Sequence, residues 1–320
     1  MQLICLKKVW SKGKHNAFTD LCYFNGKLYC CFREALNHVS ADGVVRIVEL
    51  SAEGRFSASQ LIHLHQVDIR DPKLSVTPDG KLLLMAYARH TGENNQTLYS
   101  QAVCWNTANG LSWSSHTFFG QKNWWLWRLT WHQGQAYGFA YNRAKQVVDF
   151  YQGDPRRTFH VNCKNAFSLI SNGKGYPNES DLVFVGDNAY ALLRRDADTY
   201  SAQLGRAKIP YKNWVWQDLG RYIGGPAMLL IDNNSAIIAG RIEHKNELKT
   251  AIMRLDLGSG KLEVSLILPS SGDNSYPGLV IKGNTLLVSY YSCHQDDKSS
   301  IYLAKIDLLN DSGREADIRT

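Results

Sequence analysis

The sequence lacks the features of a membrane protein or a disulfide-stabilised secreted protein. No segment approaches eighteen consecutive apolar residues, and the first ten residues, MQLICLKKVW, interrupt their apolar positions with lysines. Neither a membrane span nor a signal peptide is expected. The seven cysteines are odd in number and show no CxxC spacing, which suits free thiols in a reducing compartment. These absences predict a cytoplasmic protein.

The chain also lacks blocks of one charge, sustained helical periodicity and the common phosphate- or metal-binding motifs. Its net charge of +7 is scattered along the sequence, so a nucleic-acid surface is not expected. The segment NGKGYPN at 172–178 lacks the GK[ST] ending of a phosphate loop. His63 and His65 alternate on one strand face without a third ligand nearby, and neither a metal nor a cofactor is predicted.

The main positive feature is an internal repeat. Six segments share a polar or proline-containing start, an apolar strand, a turn at Gly or Asn, and a second apolar strand that ends in Arg or Tyr. They are AFTDLCYFNGKLYCCFR from 17, RDPKLSVTPDGKLLLMAYAR from 70, WRLTWHQGQAYGFAY from 127, NESDLVFVGDNAYALLRR from 178, GPAMLLIDNNSAIIAGR from 225 and YPGLVIKGNTLLVSYY from 276. Their starts lie 47 to 57 residues apart, which is the spacing of one four-stranded blade each.

The repeat predicts an all-β fold, a six-bladed β-propeller in one domain over residues 1–310, followed by a polar C-terminal tail at 311–320. Two further strand-like runs, such as VVRIVEL and SQLIHLH, come after each of the first five segments. The last segment is followed by one run, SIYLAKIDLL, while the chain opens with an orphan strand, LICLKKVW. We therefore expect the N-terminal strand to complete the last blade, which removes the free edges of an open sheet.

In a propeller the first strand of each blade lines the central channel, so residues near the starts of these strands converge on one mouth. Arginine is the natural carboxylate partner there because its planar group donates two parallel hydrogen bonds. Arginines, carboxylates and tyrosines gathered at one mouth predict an anion-binding site with acid and base groups. The candidate ligand-binding residues are Arg33, Arg70, Asp71, Trp127, Arg128, Arg194, Arg195, Arg241 and Tyr291.

Several of these residues also have a purely structural interpretation. Arg33 and Arg194 could pair with the neighbouring Glu34 and Asp196 at blade edges. Trp127, within the aromatic run WWLWRLTW, could pack between blades. The sequence leaves these alternatives open for each residue taken singly.

Tyr276 stands before a proline in DNSYPGLV, at the start of the sixth repeated segment. Proline at the first position of a strand loses no ladder hydrogen bond, so Pro277 is expected to begin the strand. The repeat places Tyr276 in the slot that Glu179 occupies in the fourth blade and Asp71 in the second. We therefore expect its phenol at the channel mouth.

Two of the repeated stretches resemble the sialidase (neuraminidase) superfamily, whose fold is a six-bladed propeller. NESDLVFVGDNAYALLRR at 178–195 resembles the fourth-blade strand pair of that family, and SYPGLVIKGNTLLVSYY at 275–291 resembles its last blade. CWNTANGLSW at 104–113 resembles a degenerate Asp-box turn. Over its full length the chain is similar to proteins labelled sialidase-like or exo-alpha-sialidase, through HNAFTDL, IRDPKLS, PNESDL, GGPAML and SYPGL.

The resemblance implies a catalytic pair in which Tyr276 is the nucleophile and Glu179 its base. It also implies that Arg194 and, more loosely, Arg241 bind a substrate carboxylate. A neutral phenol can approach an anomeric carbon beside an anionic group that would repel a carboxylate nucleophile. The general acid of the family lies on the loop after the second strand of the first blade. Here that loop offers Asp42, and His38 is a competing proton donor.

The first blade departs from the family pattern. Sialidases begin this blade with Arg-Ile-Pro, whose Arg helps to bind the substrate carboxylate, whereas residues 17–20 here read AFTD. Arg33, Arg70 or Arg128 could replace that charge. The expected function is a glycosidase acting on an exo-positioned anionic sugar. The alternatives are a non-catalytic propeller that binds a glycan or a protein, and a polysaccharide lyase that uses His38.

Overall fold

The computed structural model describes residues 1–51 and 53–309, most of which lie in β-strands. The strands are, in chain order, β1 (Gln2–Trp10), β2 (His15–Phe24), β3 (Lys27–Ala35), β4 (Val44–Leu50), β5 (Phe56–Ile62), β6 (Val67–Val76), β7 (Leu82–Thr91), β8 (Thr97–Thr107), β9 (Thr117–Phe119), β10 (Trp125–Leu126), β11 (Thr130–His132), β12 (Gln135–Asn142), β13 (Val147–Gly153), β14 (Phe159–Ser168), β15 (Pro177–Val185), β16 (Asn188–Arg195), β17 (Gln203–Lys208), β18 (Val215–Asp218), β19 (Gly224–Leu230), β20 (Ser235–His244), β21 (Glu247–Asp256), β22 (Leu262–Ile267), β23 (Ser275–Lys282), β24 (Thr285–Ser292) and β25 (Ser300–Asp307). A short helix, α1 (Leu169–Asn172), follows β14. None of the helical structure in the described residues is long and apolar enough to cross a membrane. The predicted tail at 311–320 lies outside the described residues.

The strands form six antiparallel sheets. Four of them follow the chain from first to last strand: β2-β3-β4-β5, β6-β7-β8-β9, β15-β16-β17-β18 and β19-β20-β21-β22. The third sheet has the order β10-β12-β13-β14, with β11 also paired to β12, and the sixth has the order β1-β25-β24-β23. The innermost strand β2 packs against both β6 and β23, which joins the first sheet to the last. This is the six-bladed β-propeller that the repeat predicts.

The N-terminal strand closes the ring, as the sequence predicts. β1 pairs antiparallel with β25, from Gln2 opposite Asp307 to Trp10 opposite Ile301. The sixth blade is thereby completed to four strands. An outer edge that would otherwise be open is covered by a strand from the other end of the chain.

Apolar side chains between neighbouring blades form the core, because successive residues of a strand point to opposite faces of its sheet. Leu192 of the fourth blade packs with Ile238 and Met253 of the fifth. Ile237, also in the fifth blade, points the other way and packs with Leu286 of the sixth. Each blade is thus held on both faces, and this packing fixes the innermost strands that carry the residues of the channel mouth.

A β-bulge interrupts the innermost strand of five blades at equivalent positions. The register shifts between Ala17 and Asp20, Arg70 and Lys73, Pro177 and Ser180, Gly224 and Ala227, and Ser275 and Gly278. In the third blade the strand is broken instead, between β10 and β11. We refer to the following as the bulge residues: Phe18, Asp71, Glu179, Gly225 and Tyr276. Bulges redirect side chains, and these residues reach the channel mouth.

Four bulge residues have a left-handed backbone, with φ of 61° at Phe18, 47° at Asp71, 58° at Gly225 and 51° at Tyr276. This conformation costs a non-glycine residue about 1–2 kcal/mol and is concentrated at functional sites. Glycine is required at 225 for a second reason, since a Cβ there would lie 2.7 Å from the ring of Tyr276. The neighbouring blade therefore leaves room for the tyrosine.

Pro277 lies inside β23 rather than at its start, which corrects the sequence-based expectation. The strand begins at Ser275, and Pro277 is the second residue of the bulge, outside the regular ladder. Pro72 and Pro226 occupy the same place after Asp71 and Gly225. The sequence Xaa-Pro at these three positions therefore marks a bulge that turns residue Xaa towards the mouth.

The segment 104–113 spans the end of β8 and the turn towards β9. The Asn109 side chain accepts hydrogen bonds from the backbone N–H groups of Leu111 and Ser112, both at 2.9 Å. Trp113 Nε1 donates to Gln60 Oε1 in β5 at 2.7 Å. The turn that resembles an Asp-box thus joins the outer strands of the first and second blades.

Candidate active site

A pocket of ≈ 230 Å³ opens at the channel mouth, where the bulge residues meet. Aromatic rings and charged groups share its wall. The lining residues are Phe18, His38, Arg70, Asp71, Trp125, Trp127, Tyr141, Arg143, Tyr176, Asn178, Glu179, Arg194, Asp196 and Tyr276. Three arginines and three carboxylates are among them, so their formal charges cancel when every carboxylate is ionised.

Tyr276 and Glu179 form a direct hydrogen bond in this pocket. The Tyr276 hydroxyl donates to Glu179 Oε1 at 2.8 Å. The other oxygen, Oε2, accepts from the backbone N–H of Gly225 at 2.7 Å and from Arg194 Nη1 at 2.6 Å. A general base needs to lie roughly 2.6–3.2 Å from the atom whose proton it takes. The Glu179 carboxylate therefore has the position required to accept the phenolic proton.

Arg194 connects both members of the pair. Its Nη1 donates to the Tyr276 hydroxyl oxygen at 2.9 Å as well as to Glu179, and its Nε donates to Asp196 at 2.9 Å. Burial opposes the charge of Arg194, but the Glu179 carboxylate beside it raises the pKa of this arginine well above its ordinary value. A fixed cation next to the phenol oxygen stabilises the negative charge that develops there as the proton leaves.

The Tyr276 side chain is buried among other rings, with the centroid of Phe18 at 5.1 Å and that of Trp127 at 5.7 Å. Burial raises the pKa of Tyr276 well above its ordinary value, and the charge of Glu179 adds to the rise, while Arg194 opposes it. The phenol is thus neutral near neutral pH. It can attack a carbon only while its proton passes to a base, and Glu179 is the base in contact with it.

Asp71 is the second carboxylate of the pocket and differs from Glu179 in having no direct partner. It is 4% exposed, and no hydrogen bond or ion pair within residues 1–51 and 53–309 reaches its carboxylate. Burial raises the pKa of Asp71 against the opposing charges of Arg70 and Lys73, and Glu179 adds to the rise. A buried carboxyl group with a raised pKa holds its proton more readily than an exposed one and is suited to act as a general acid.

Arg33 does not reach the pocket, because it is fully buried against Asp68. Asp68 Oδ1 accepts from Arg33 Nε at 3.0 Å, and Oδ2 lies 3.1 Å from Arg70 Nη1 and 2.8 Å from Arg89 Nη2. We call these four residues the Asp68 cluster. Its arginines also donate to backbone oxygens of the β3–β4 loop, at Asn37, His38, Val39 and Ser40. The partner of Arg33 is Asp68 rather than Glu34.

Arg241 and Tyr291 lie beside Tyr276 but are held by Asp273. Arg241 Nη2 is 3.1 Å from Asp273 Oδ1, and the Tyr291 hydroxyl donates to the same oxygen at 2.8 Å. The Arg241 guanidinium lies 5.3 Å from the centre of the Tyr276 ring. The Nδ1 atom of His38 is 2.7 Å from Asp273 Oδ2. Asp273 therefore joins the β3–β4 loop to the segment that precedes Tyr276.

Two of the predicted arginines occupy structural positions outside the pocket lining. Arg128 lies 2.8 Å from Asp20 and 3.2 Å from Asp181, so it links innermost strands across the channel. Burial raises the pKa of Asp181 to about 6, although the charge of Arg128 opposes the rise. Arg195 is fully buried in contact with Asp198 and with the carbonyl of Ala197. Trp127 does line the pocket and also packs against Tyr276.

The two predicted proton donors of the β3–β4 loop have different positions. Asp42 is exposed, accepts from the backbone N–H of Leu36 at 3.1 Å, and is absent from the pocket lining. His38 does line the pocket, with its Nδ1 directed at Asp273. Asp42 therefore contacts the loop rather than the pocket, whereas the Asp71 carboxyl lies in the pocket wall.

Sequence reasoning did not find several residues of the wall: Trp125, Arg143, Tyr176, Asn178 and Asp196. Arg143 is exposed, and its guanidinium lies 5.1 Å from the centre of the Tyr176 ring. It follows the end of β12, which takes the second-strand position of its blade, where a basic residue recurs in other repeats. That recurrence could have identified Arg143. The sequence around Tyr176 carries no comparable signal.

No protein-family model matches the chain, and no curated protein matches it in sequence. Solved structures do match it in fold. A protein of unknown function from Dyadobacter fermentans superposes with a TM-score of 0.81 at 18% identity, over 96% of this chain and 98% of that one. An alpha-L-arabinanase from Penicillium chrysogenum, complexed with arabinobiose, gives a TM-score of 0.72 at 12% identity, over 96% and 99% of the two chains.

The NanB sialidase of Streptococcus pneumoniae matches with a TM-score of 0.70 at 9% identity, over 95% of this chain and 70% of that one. At such identities the likeness concerns the fold. The glycosidases among the structural neighbours of this chain include both sialidases and arabinan-degrading enzymes. The chain shares the six-bladed β-propeller on which the sialidases and arabinanases among its structural neighbours are built.

Proposed function

We propose that this protein is a glycoside hydrolase that removes a terminal sugar in the mouth pocket, with Tyr276 as nucleophile, Glu179 as its base and Asp71 as general acid. The 2.8 Å hydrogen bond from the Tyr276 hydroxyl to Glu179 carries this assignment. The unpartnered, buried Asp71 carboxyl in the same pocket supports it. Carbohydrate enzymes among the structural neighbours agree with this reaction class.

In the first step the Tyr276 oxygen attacks the anomeric carbon as its proton passes to Glu179 Oε1. The glycosidic bond breaks, and Asp71 gives its proton to the departing oxygen, which leaves as an alcohol. The product is a glycosyl-tyrosine and a free aglycone. Arg194 stabilises the charge on the phenol oxygen and on Glu179 through its contacts at 2.9 and 2.6 Å.

In the second step a water molecule attacks the same carbon while Asp71, now ionised, takes a proton from it. The bond to the phenol oxygen breaks, and Glu179 returns the proton to Tyr276. Two displacements at one carbon retain its configuration. All groups then have their initial protonation state, and the released sugar carries the hydroxyl of the water.

We further propose that the sugar is anionic. The wall carries three arginines, and burial disfavours the charged form of Asp71, one of its three carboxyl groups. No hydrogen bond or ion pair within the described residues involves the Arg143 guanidinium, which lies over the Tyr176 ring, so its charge is available to a ligand. A neutral arabinose unit is the competing substrate. It is favoured because Arg33 and Arg241 already form ion pairs with Asp68 and Asp273 and are not free to bind an anion.

Hydrolysis of a panel of aryl glycosides tests this function, using alpha-linked sialic acid, glucuronic acid and alpha-L-arabinofuranose. Release of the phenol by the parent protein is expected on an anionic member. Tyr276→Phe is expected to lower kcat on the order of 10⁴-fold or more, because it removes the attacking oxygen without changing the ring. The conservative control is Tyr290→Phe, which removes a hydroxyl that donates to the Pro269 carbonyl and does not line the pocket.

Three results would separate the alternatives. If Tyr276→Phe retained most of its turnover while Glu179→Gln lost it, the carboxylate itself would be the nucleophile. An unsaturated product that absorbs ultraviolet light, formed from a uronate polymer, would indicate a lyase. Binding of oligosaccharides by the parent protein, without release of phenol or of an unsaturated product, would identify a glycan-binding propeller instead.

A further inference from the structure

Two histidines and a carboxylate converge at the rim of the pocket, where the first blade meets the sixth. His15 is the first residue of β2, His38 lies in the β3–β4 loop, and Asp273 lies two residues before β23. Their ligand atoms all lie within 4.8 Å of one another. These residues are far apart in sequence, and the proposed hydrolytic reaction uses none of them as nucleophile, base or acid.

The separations suit a small coordination sphere. Asp273 Oδ2 is 3.3 Å from His15 Nε2 and 2.7 Å from His38 Nδ1. Two bonds of roughly 2.0–2.1 Å at a tetrahedral angle place their donor atoms about 3.3 Å apart. The His15 and Asp273 atoms already have that separation. His38 would need to withdraw by about 0.6 Å, which its half-exposed side chain on a loop allows.

The protein supports this carboxylate from behind. Asp273 Oδ1 accepts from the Tyr291 hydroxyl at 2.8 Å and lies 3.1 Å from Arg241 Nη2, which leaves Oδ2 directed at the two imidazoles. Outer contacts of this kind orient a ligand and tune its affinity for metal. The Nδ1 atom of His15 is buried without a partner in the described residues, so no hydrogen bond from that side fixes its tautomer.

We propose that His15 Nε2, His38 Nδ1 and Asp273 Oδ2 bind a divalent transition metal, with zinc as the best fit. Imidazole nitrogens favour zinc, copper, iron and nickel, whereas calcium and magnesium prefer oxygen ligands. Because His38 also lines the pocket, a metal bound by it would lie at the edge of the pocket. A metal here clamps the β3–β4 loop to the segment that positions Tyr276, and it presents a Lewis acid to an oxygen atom of a bound ligand.

Titration of the metal-free full-length protein with Zn²⁺ by isothermal calorimetry tests the site, with Mg²⁺ and Ca²⁺ as comparisons. One equivalent of Zn²⁺ is expected to bind and to raise the melting temperature. Co²⁺ is expected to give visible absorption bands of a low-coordinate N and O site. Mg²⁺ and Ca²⁺ are expected to produce neither effect.

His38→Ala is the main variant, since this side chain is half exposed and its loss leaves Asp273 paired with Arg241. It should abolish the one-equivalent binding and the shift in melting temperature. The matched control is His65→Ala, an exposed histidine outside the cluster, which should leave both unchanged. Tyr291→Phe should weaken binding about 10- to 100-fold by freeing the carboxylate.

Failure of the parent protein to bind Zn²⁺ or Co²⁺ would overturn the site and leave a hydrogen-bonded cluster of two imidazoles and a carboxylate. Binding that survives in His38→Ala would also overturn it. Neither result depends on turnover of a glycoside, so the outcome is separate from that of the proposed hydrolase reaction.

Discussion

Glu179 and Asp68 are both buried carboxylates near the channel mouth, and both contact arginine, but they differ in their remaining contacts. Glu179 has one arginine, one backbone N–H group and the Tyr276 hydroxyl around it, and it lines the pocket. Asp68 has three arginines around it, is fully buried, and does not line the mouth pocket. The first carboxylate faces a ligand space, and the second faces only protein.

The difference shows that the number of arginines at a propeller mouth does not give the number available to a substrate. Arg33 and Arg89 are held by Asp68, whose carboxylate occupies the place that an anionic ligand would otherwise take between them. The Asp68 cluster also binds the carbonyls of the β3–β4 loop. It therefore orders the loop that carries His38.

Among the predictions that compare the two carboxylates, the largest effect is expected on the activity of a Glu179 variant. Glu179→Gln should lower kcat about 10²- to 10⁴-fold, because an amide does not accept the phenolic proton. Its stability should change by less than about 2 kcal/mol, since Arg194 keeps Asp196 as a partner. Kinetics on the aryl glycoside that the parent hydrolyses, together with urea unfolding, would measure both. A normal kcat in Glu179→Gln would show that Glu179 takes no part in the reaction.

The second prediction concerns stability. Asp68→Asn should lower the free energy of unfolding by about 3–5 kcal/mol, because it leaves buried guanidinium groups without their counter-charge. Asp79→Asn is the matched control, since Asp79 also contacts an arginine, Arg156, but is nearly half exposed. It should cost about 0–1 kcal/mol. Equal losses in the two variants would mean that the Asp68 cluster has no special structural role.

The third prediction concerns pH. Asp71 must be protonated to act as an acid, and its pKa is raised, so activity should persist to higher pH than for an ordinary aspartate and then fall tenfold per pH unit. Asp71→Asn should remove this basic limb and should be impaired least on substrates with acidic leaving phenols. A profile of kcat/KM against pH for both proteins measures this. If the pH profile of Asp71→Asn kept the same basic limb, that limb would belong to a different titrating group.

The smallest expected effect decides between two candidate acids. Asp42→Asn should change activity less than about threefold and stability by about 0.5 kcal/mol, because Asp42 is exposed and contacts a loop N–H group. The same assays as for Asp71→Asn apply. A loss of activity of 10²-fold or more would instead identify Asp42 as the general acid. The β3–β4 loop would then have to move when the ligand binds.

The sequence predicted the fold well, because each blade repeats the same local pattern of strand, turn and strand. The closing strand was predictable as well, since the last repeat lacks one strand and the first ten residues supply an unpaired one. The positions of Glu179, Asp71 and Tyr276 followed from their equivalent places in the repeat. What the pattern did not indicate is the bulge that holds Pro277 within β23.

The partners of the charged side chains were less predictable, because they depend on connections between the strands. Arg33 was assigned to a ligand or to Glu34, yet the arrangement of blades places Asp68 of the next blade against it. Arg195 is covered by the segment after β16, through Ala197 and Asp198. Asp273 lies outside the repeated segments altogether, and its contacts with His15 and His38 join regions more than 230 residues apart in sequence.

The pairing of β1 with β25 also affects how the propeller folds. Gln2 lies opposite Asp307, so this contact joins strands that are 305 residues apart in sequence. Closing so long a loop is slow, and both strands keep exposed edges until they meet. The same blade carries Tyr276, so the order of this side of the channel mouth depends on a pairing that forms late in folding.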